Sequence, residues 1–209
     1  MPLSPKEHWN KVYTKNSNTA LGWYEAEASQ SIQLIERCDI SKQSPIVDIG
    51  SGASILIPKL LELGYTNVSP IDISDVALKK AKALLSKERS EVPHWTVADI
   101  TNPNTLLELS NVALWHDRAV FHFLDEAEHR RNYHSLLHRI VRSGGFVIIA
   151  AFALDGAAKC SGLPVQRYSV ETLSDFLGDG FKLIEGFDYT YHMPSGDTRP
   201  YIYTRFQKV

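Results

Sequence analysis

The residues best suited to chemistry by type and spacing surround one glycine turn. Residues 46–54 (IVDIGSGAS) are typical of a buried strand that breaks at two glycines and leads into a helix. Gly50 and Gly52 allow bare backbone N–H groups to approach a ligand closely. Asp72 and Asp99 follow the next two apolar runs. This spacing predicts a nucleoside site, with Asp72 accepting hydrogen bonds from the ribose hydroxyls and Asp99 from the adenine amino group.

The same turn argues against a dinucleotide. A dinucleotide-binding turn carries a third glycine or an alanine where the pyrophosphate and the helix pack tightly. In this chain the corresponding position, three residues after Gly52, is Ile55, and a branched side chain there disfavours a nicotinamide oxidoreductase. A purely structural interpretation stays open, in which the glycines only make a turn and the aspartates only cap helices.

From Pro45 onward, predicted strands and helices alternate, which indicates an α/β sandwich with a mostly parallel sheet. The last two strands form an antiparallel pair, which places one antiparallel strand at or near an edge. Ligands of such sheets bind beyond the carboxyl ends of the strands, where the glycine turn and both aspartates fall. The predicted strands are 45–49, 68–71, 92–97, 112–116, 146–152, 181–191 and 201–207, and the predicted helices are 54–63, 75–86, 104–109, 126–142 and 169–177.

The first 44 residues are predicted to be a helical extension of one domain that covers residues 1–209. Trp9 and Tyr13 are four residues apart and share a helix face. Residues 21–24 (LGWY) form an aromatic loop, and residues 29–37 form a second helix. The Rossmann-like core then occupies residues 45–209.

Composition narrows the function classes. The formal charge of −2 carries no basic excess, so a nucleic-acid partner is not predicted. Cys38 and Cys160 cannot form a disulfide framework, which is typical of a reducing compartment. Residues 1–6 lack the apolar core of a signal peptide, and no apolar run is long enough to cross a membrane. A cytoplasmic location without membrane association is the resulting expectation, whereas the oligomeric state is not predictable from the sequence.

No metal site is predicted. His134 and His138 have the spacing of metal ligands on one helix, and His129 lies on the same helix. Three arginines in that segment would repel a cation, which favours a solvated helix face.

The chain resembles the class I S-adenosylmethionine-dependent methyltransferases at residues 47–52 (VDIGSG), 71–74 (IDIS), 97–100 (VADI) and 143–146 (SGGF). It is most similar to a subgroup that includes the small protein-lysine methyltransferases of elongation factor 1A and of mitochondrial citrate synthase. That similarity lies at residues 115–124 (WHDRAVFHFL) and 160–168 (CSGLPVQRY). The resemblance implies a doubly wound, seven-stranded sheet with the order 3-2-1-4-5-7-6. It also implies S-adenosyl-L-methionine as cofactor and methyl transfer to a protein lysine.

The resemblance further implies that the Trp9–Tyr13 segment and the Trp23–Tyr24 loop fold over the cofactor. Where many members have a third glycine, this chain has Ala53 and Ser54. The residues expected to bind the cofactor are Trp9, Tyr13, Trp23, Asp48, Gly50, Ser51, Gly52, Asp72, Ile73, Asp99, Ile100 and Trp115.

In this fold the end of the fourth strand lies beside the transferred methyl group. Asp117 is therefore expected to orient an incoming amine, and His116 or His122 to take its proton. The expected substrate contacts are Tyr24, Arg118, Arg167 and Tyr168, the last two from a predicted lid over residues 157–168. Open alternatives are a core position for Trp115, a structural Asp117–Arg118 ion pair, a surface position for His122 and a rigid 157–168 connector. A small-molecule acceptor and a catalytically idle cofactor-binding module are likewise open.

Overall fold

Seven strands form one sheet in the computed structural model, which describes residues 3–209. Met1 and Pro2, assigned above to the N-terminal extension, lie outside the described residues. The strand order is β3-β2-β1-β4-β5-β7-β6, and only β7 runs antiparallel to its neighbours. This confirms the predicted fold class. The strands are β1 (Ile46–Ile49), β2 (Val68–Asp72), β3 (Thr96–Val97), β4 (Val112–Arg118), β5 (Val141–Phe152), β6 (Phe181–His192) and β7 (Thr198–Lys208).

Helices cover both faces of the sheet, which explains why its central strands are apolar. All four residues of β1 are buried, and so are the first six of β4. Helices α2 and α3 pack on one face, and α5 and α6 pack on the other. The helices are α1 (Pro5–Lys15), α2 (Ser29–Glu36), α3 (Leu56–Glu62), α4 (Asp75–Lys82), α5 (Ala127–Ile140) and α6 (Val170–Leu177).

The structure differs from the predicted elements in two places near the sheet edge. β3 contains two residues instead of six. Pro93 has no N–H for the ladder, although His94 N–H still donates to the Val68 carbonyl at 2.9 Å. Residues 104–109 form turns instead of a helix, since Leu106 adopts a left-handed conformation with φ of 53°. Strand β4 is two residues longer than predicted and ends at Arg118.

Helix α1 packs against α4 and therefore lies over the carboxyl end of the sheet. The Asn10 amide donates to an Asp75 oxygen at 3.0 Å and accepts from the Ser74 hydroxyl at 2.7 Å. The same hydroxyl caps α4 by accepting from Ala77 N–H at 3.1 Å. This arrangement brings Trp9 and Tyr13 above the glycine turn. No helix within residues 3–209 has the length and apolar content needed to cross a membrane.

Candidate active site

A cavity of about 330 Å³ opens at the carboxyl ends of β1 to β4, below α1. Its size is that of a small-molecule site. The glycine turn and both predicted acids contribute to its wall, together with aromatic residues from α1 and from the loop after it. Residues of the wall include Trp9, Tyr13, Trp23, Gly50, Asp72, Ile73, Asp99, Ile100, Arg118, Val120, Phe123, Cys160, Leu163 and Tyr201.

The turn after β1 requires glycine for its conformation and for its close contacts. Gly50 and Gly52 have φ values of 58° and 59°, in the left-handed region. A Cβ on Gly50 would overlap the Cγ2 atom of Val120. A Cβ on Gly52 would lie 2.6 Å from the Tyr13 hydroxyl oxygen. Both positions therefore let the Val120 and Tyr13 side chains approach the backbone closely. The predicted approach of a ligand to this turn stays a prediction.

The Asp72 carboxylate accepts hydrogen bonds from backbone N–H groups at this turn and at the start of α4. Its Oδ2 atom accepts from Gly52 N–H at 2.8 Å, and its Oδ1 atom accepts from Ser74 N–H at 2.7 Å. Burial of the carboxylate raises the pKa of Asp72 to about 6, although these N–H groups lower it. Asp99 also lines the larger cavity, and its Oδ1 atom accepts from both the N–H and the hydroxyl of Thr101.

A second, smaller cavity of about 50 Å³ lies beside the first and shares Trp23, Gly50 and Arg118 with it. Asp48 and Ser51 line this smaller cavity and are each 3% exposed. The Asp48 Oδ2 atom and the Ser51 hydroxyl have no hydrogen-bond partner among the described residues. Buried polar atoms without partners are costly, so this pair marks a place where a polar ligand group fits.

Four rings form an aromatic cluster at the wall of the larger cavity, defined by Trp9, Tyr13, Trp23 and Phe123. The Trp9 ring centroid lies 5.8 Å from Trp23 and 5.0 Å from Phe123, both edge-on. Tyr13 contacts Trp23 at 6.0 Å, also edge-on. Such a cluster excludes water and presents π-faces to a cation or an aliphatic chain.

Comparisons with known proteins identify the family. A family model described as "methyltransferase domain" matches residues 47–149, from β1 into β5. EEF1A lysine methyltransferase 2 of Mus musculus is 26% identical over 196 residues, covering 88% of this chain and 74% of the mouse protein. This chain belongs to the class I S-adenosylmethionine-dependent methyltransferases. The Danio rerio protein of the same name is 28% identical over 162 residues, covering 71% of this chain and 69% of the relative.

Solved structures agree on the fold. A SAM-dependent methyltransferase from Anabaena variabilis matches with a TM-score of 0.76 and 14% identity, covering all of this chain and 96% of that one. Phospholethanolamine N-methyltransferase 2 of Haemonchus contortus matches with a TM-score of 0.72 and 14% identity. The match covers 99% of this chain and 60% of the Haemonchus chain.

As an enzyme of this family, the chain uses S-adenosylmethionine, and its two cavities fit that molecule in chemical terms. The larger cavity offers Asp72 and Asp99 to a nucleoside. The smaller cavity offers unpartnered atoms of Asp48 and Ser51 to an amino-acid group. All the predicted cofactor-binding residues except Trp115 line one of the two cavities.

Trp115 lies in the core and in neither cavity wall. It is fully buried, and its indole Nε1–H donates to the Tyr133 hydroxyl at 2.9 Å. The Tyr133 hydroxyl in turn donates to Asp117 Oδ2 at 2.9 Å. Trp115 therefore supports the end of β4 through the core, and direct cofactor contact would require a rearrangement.

The three predicted catalytic residues, Asp117, His116 and His122, are buried, with at most 2% exposure. Asp117 Oδ1 accepts from the N–H groups of Val120 and Phe121 at 3.1 and 3.2 Å. It thereby holds the turn that places Val120 in the cavity wall. Their catalytic role stays a prediction, and the burial favours a positioning role instead.

Two substitutions of Asp117 separate these roles. Asp117→Asn keeps an acceptor for both N–H groups and removes a carboxylate whose pKa burial raises to about 6. Because no carboxylate surface is exposed, we expect Asp117→Asn to keep turnover within a few-fold of the unchanged enzyme. Asp117→Ala leaves these donors unpaired and is expected to lower the free energy of unfolding by about 2–4 kcal/mol. Steady-state kinetics measure the turnover of each variant, and urea unfolding measures its free energy of unfolding. Loss of turnover in a stable Asp117→Asn protein would favour a catalytic carboxylate.

His122 is expected to make the fold sensitive to acid. Burial, with the nearby charges of Arg118 and Arg199, lowers the pKa of His122 to about 3. Since the unfolded chain binds this proton below about pH 6.5 and the folded chain does not, stability falls with pH by about 1.4 kcal/mol per unit from 6.5 downward. The contribution of neutral His122 is complete above pH 6.5.

His122→Asn removes this group and keeps an oxygen near Nδ1 to accept from Phe152 N–H. The variant should lose stability by a constant amount at neutral pH. Relative to the unchanged protein it should then regain about 1 kcal/mol between pH 6.5 and 5.5, since the unfolded histidine is already half protonated at pH 6.5. Urea unfolding at both pH values tests this, and parallel pH curves for the two proteins would contradict it.

Among the predicted substrate contacts, Arg118 lines both cavities. The expected alternative of an Asp117–Arg118 ion pair is wrong, because the Arg118 guanidinium pairs with Glu25 at 3.1 Å. Arg118 also donates to the Tyr203 hydroxyl and to the Trp23 carbonyl, each at 3.0 Å. Arg118 therefore ties the aromatic loop to the sheet.

The other predicted substrate contacts lie apart from the larger cavity. Tyr24 lines the smaller cavity, and its carbonyl accepts from the Tyr191 hydroxyl. Arg167 donates to the Gly156 carbonyl at 3.4 Å, and neither it nor Tyr168 belongs to a cavity wall. Tyr168 packs against Phe121 at 4.9 Å, and burial raises its pKa to about 12.

Several residues of the cavity wall were missed by sequence reasoning. From the predicted lid, the wall receives Cys160, Leu163 and Pro164, which belong to a small hairpin of Lys159–Cys160 with Leu163–Pro164. Phe123 and Tyr201 complete the aromatic surface. Phe123 belongs to the 115–124 segment that carries the family resemblance, so the sequence could have indicated it. No local feature distinguishes Tyr201 from other strand residues.

Proposed function

We propose that this enzyme methylates the side-chain amine of a protein lysine, with elongation factor 1A as the first candidate substrate. The observation that carries the proposal is its similarity to EEF1A lysine methyltransferase 2 of mouse and human, over 88% of this chain in both cases. A Drosophila melanogaster relative with 29% identity is also named as an eEF1A methyltransferase homolog, although the match covers 21% of that protein. A cytoplasmic location, expected from the sequence, is part of the proposal.

The cavity supports a lysine acceptor. The aromatic cluster offers an apolar wall that suits the aliphatic part of a lysine side chain. Asp125 and Glu126 also belong to the cavity wall, and both are exposed. Their negative charge favours approach of a cationic side chain to the mouth of the cavity.

The chemistry then depends on neutralising and aligning the amine. S-adenosylmethionine, when bound, supplies a methyl group on a cationic sulfur that an amine displaces in line. A lysine amine has a pKa of about 10.4 and must release its proton to solvent before it acts as the nucleophile. The new bond from nitrogen to the methyl carbon replaces the bond from sulfur to that carbon, and S-adenosylhomocysteine leaves. Desolvation beside Trp9, Trp23 and Phe123 disfavours the ammonium form. Asp117 fixes the turn behind this wall through the N–H groups of Val120 and Phe121.

Methyl transfer from labelled S-adenosylmethionine tests the proposal. The purified enzyme is incubated with recombinant elongation factor 1A and, separately, with a host lysate divided by a size cut-off. Label on a lysine of the factor, mapped by mass spectrometry and removed by Lys→Arg at that position, is the expected result. Label confined to the small-molecule fraction would favour a metabolite acceptor. Cofactor binding without transfer to either fraction would favour an idle binding module.

A further inference from the structure

We propose that Ser31 and His116 form a buried relay that positions Asp48 for the amino-acid end of S-adenosylmethionine. His116 Nδ1 lies 2.7 Å from Asp48 Oδ1, and His116 Nε2 lies 2.9 Å from the Ser31 hydroxyl oxygen. The three residues are 3% exposed or less. They belong to α2, β4 and β1, so the relay connects three elements at the smaller cavity.

The Asp48 carboxylate and the Ser31 hydroxyl limit which atoms of the relay donate and which accept. The two ring nitrogens of His116 connect the other two side chains. A carboxylate oxygen accepts, so Nδ1 is the donor to Asp48, and the Ser31 hydroxyl can donate to Nε2 or accept from it. With Oδ1 held in this way, the carboxylate cannot rotate freely, and its Oδ2 atom remains without a partner in the part of the chain that the structure describes.

The free Asp48 oxygen is suited to an ammonium group. A buried carboxylate oxygen without a donor is costly, and a cationic donor relieves that cost most effectively. The smaller cavity meets the larger one at Gly50 and also presents the unpartnered Ser51 hydroxyl. A ligand with its nucleoside beside Asp72 would therefore extend its amino-acid end toward Asp48. This inference rests on the cofactor of the family and does not depend on the proposed methyl acceptor.

The same connectivity occurs in hydrolytic Ser-His-Asp triads, but it does not make Ser31 a nucleophile here. The residue is 1% exposed, and the cavity it lines holds about 50 Å³, too small for an acyl substrate. His116 is accordingly a positioning residue that acts through Asp48.

Calorimetric binding of two ligands tests the relay. S-adenosylhomocysteine carries the amino-acid end, whereas 5′-methylthioadenosine keeps the nucleoside and lacks that end. We expect His116→Leu to weaken S-adenosylhomocysteine binding by about 10-fold or more and Ser31→Ala by a few-fold. Binding of 5′-methylthioadenosine should stay within twofold of the unchanged protein. His116→Asn, which keeps a side-chain N–H donor, and Ser31→Thr, which keeps the hydroxyl, should recover part of the affinity.

Ser90→Ala is the matched control, since Ser90 is also buried and donates to the Lys87 carbonyl at 2.8 Å. It should leave both affinities unchanged. If His116→Leu does not fold, Ser31→Ala and His116→Asn carry the test. Equal losses of affinity for both ligands in the Ser31 and His116 variants, or no loss for either ligand, would overturn the proposed relay. The expected ligand discrimination without any methylated lysine would support the relay and contradict only the proposed substrate.

Discussion

Asp72→Ala is expected to weaken S-adenosylmethionine binding by about 2–3 kcal/mol, or roughly 30- to 150-fold. The Asp72 carboxylate lines the cavity and is held by the N–H groups of Gly52 and Ser74, so its removal takes away the ribose acceptor and loosens the glycine turn. Isothermal titration with S-adenosylmethionine measures the loss. Unchanged affinity in a folded variant would contradict the assignment of Asp72 to the ribose.

The raised pKa of Asp72 adds a pH test of the same contact. With a pKa of about 6, the carboxylate is ionised above that pH and protonated below it. At pH 5 roughly one tenth of it is ionised, so the apparent Kd should rise by about 10-fold relative to pH 7. Asp72→Asn has no carboxylate to titrate and should show a flatter profile. Equal pH dependence in the two proteins would assign the effect to another group.

Gly50→Ala is expected to abolish cofactor binding and to lower the free energy of unfolding by about 2–4 kcal/mol. An alanine at this position must adopt the φ of 58° and must displace Val120, whose Cγ2 atom occupies the place of the new Cβ. Both residues line the larger cavity, so the displacement also narrows the cofactor site. Thermal unfolding with and without S-adenosylhomocysteine measures both effects, because a bound ligand raises the melting temperature.

Gly64→Ala provides a matched control for this substitution. Gly64 has a φ of 87°, and a Cβ there would meet no atom within 4 Å. The control therefore has the backbone strain, about 1–2 kcal/mol, without the steric overlap. It should unfold at a somewhat lower temperature and should keep the ligand-induced increase. Loss of that increase in both variants would show that backbone strain, not contact with Val120, disables the site.

The nucleoside side of the site was predictable from the sequence because its geometry is local. The turn at Gly50 and Gly52 follows directly from β1, and Asp72 lies at the end of the next strand. Parallel strands bring their carboxyl ends to one edge of the sheet, so these residues meet in any fold of this topology. The same logic placed Asp99 at this edge of the sheet, where it lines the larger cavity, whereas the short β3 and the turns at residues 104–109 were not predicted.

The side of the site where the acceptor would enter was not predictable in this way. Asp117, His116 and His122 have the residue types of acids and bases, but their exposure depends on segments far away in the chain. Asp117 meets Tyr133 from α5, and His116 meets Ser31 from α2, 85 residues earlier. A sequence pattern reports side-chain chemistry and strand position, and it does not report which distant groups will cover them.

The sequence by itself therefore determined the fold class, the family and the place of Asp72 and Asp99 at the larger cavity. The alternation of strands and helices, the glycine turn and the spacing of the acids are set by near neighbours along the chain, whereas the strand order followed from the family resemblance. Only the tertiary structure decided which titratable groups reach a cavity. Asp117 and His122 are fully buried, and one oxygen of Asp48 has no hydrogen-bond partner among residues 3–209. The physical reason is that desolvation and hydrogen-bond satisfaction depend on the packing of several elements together.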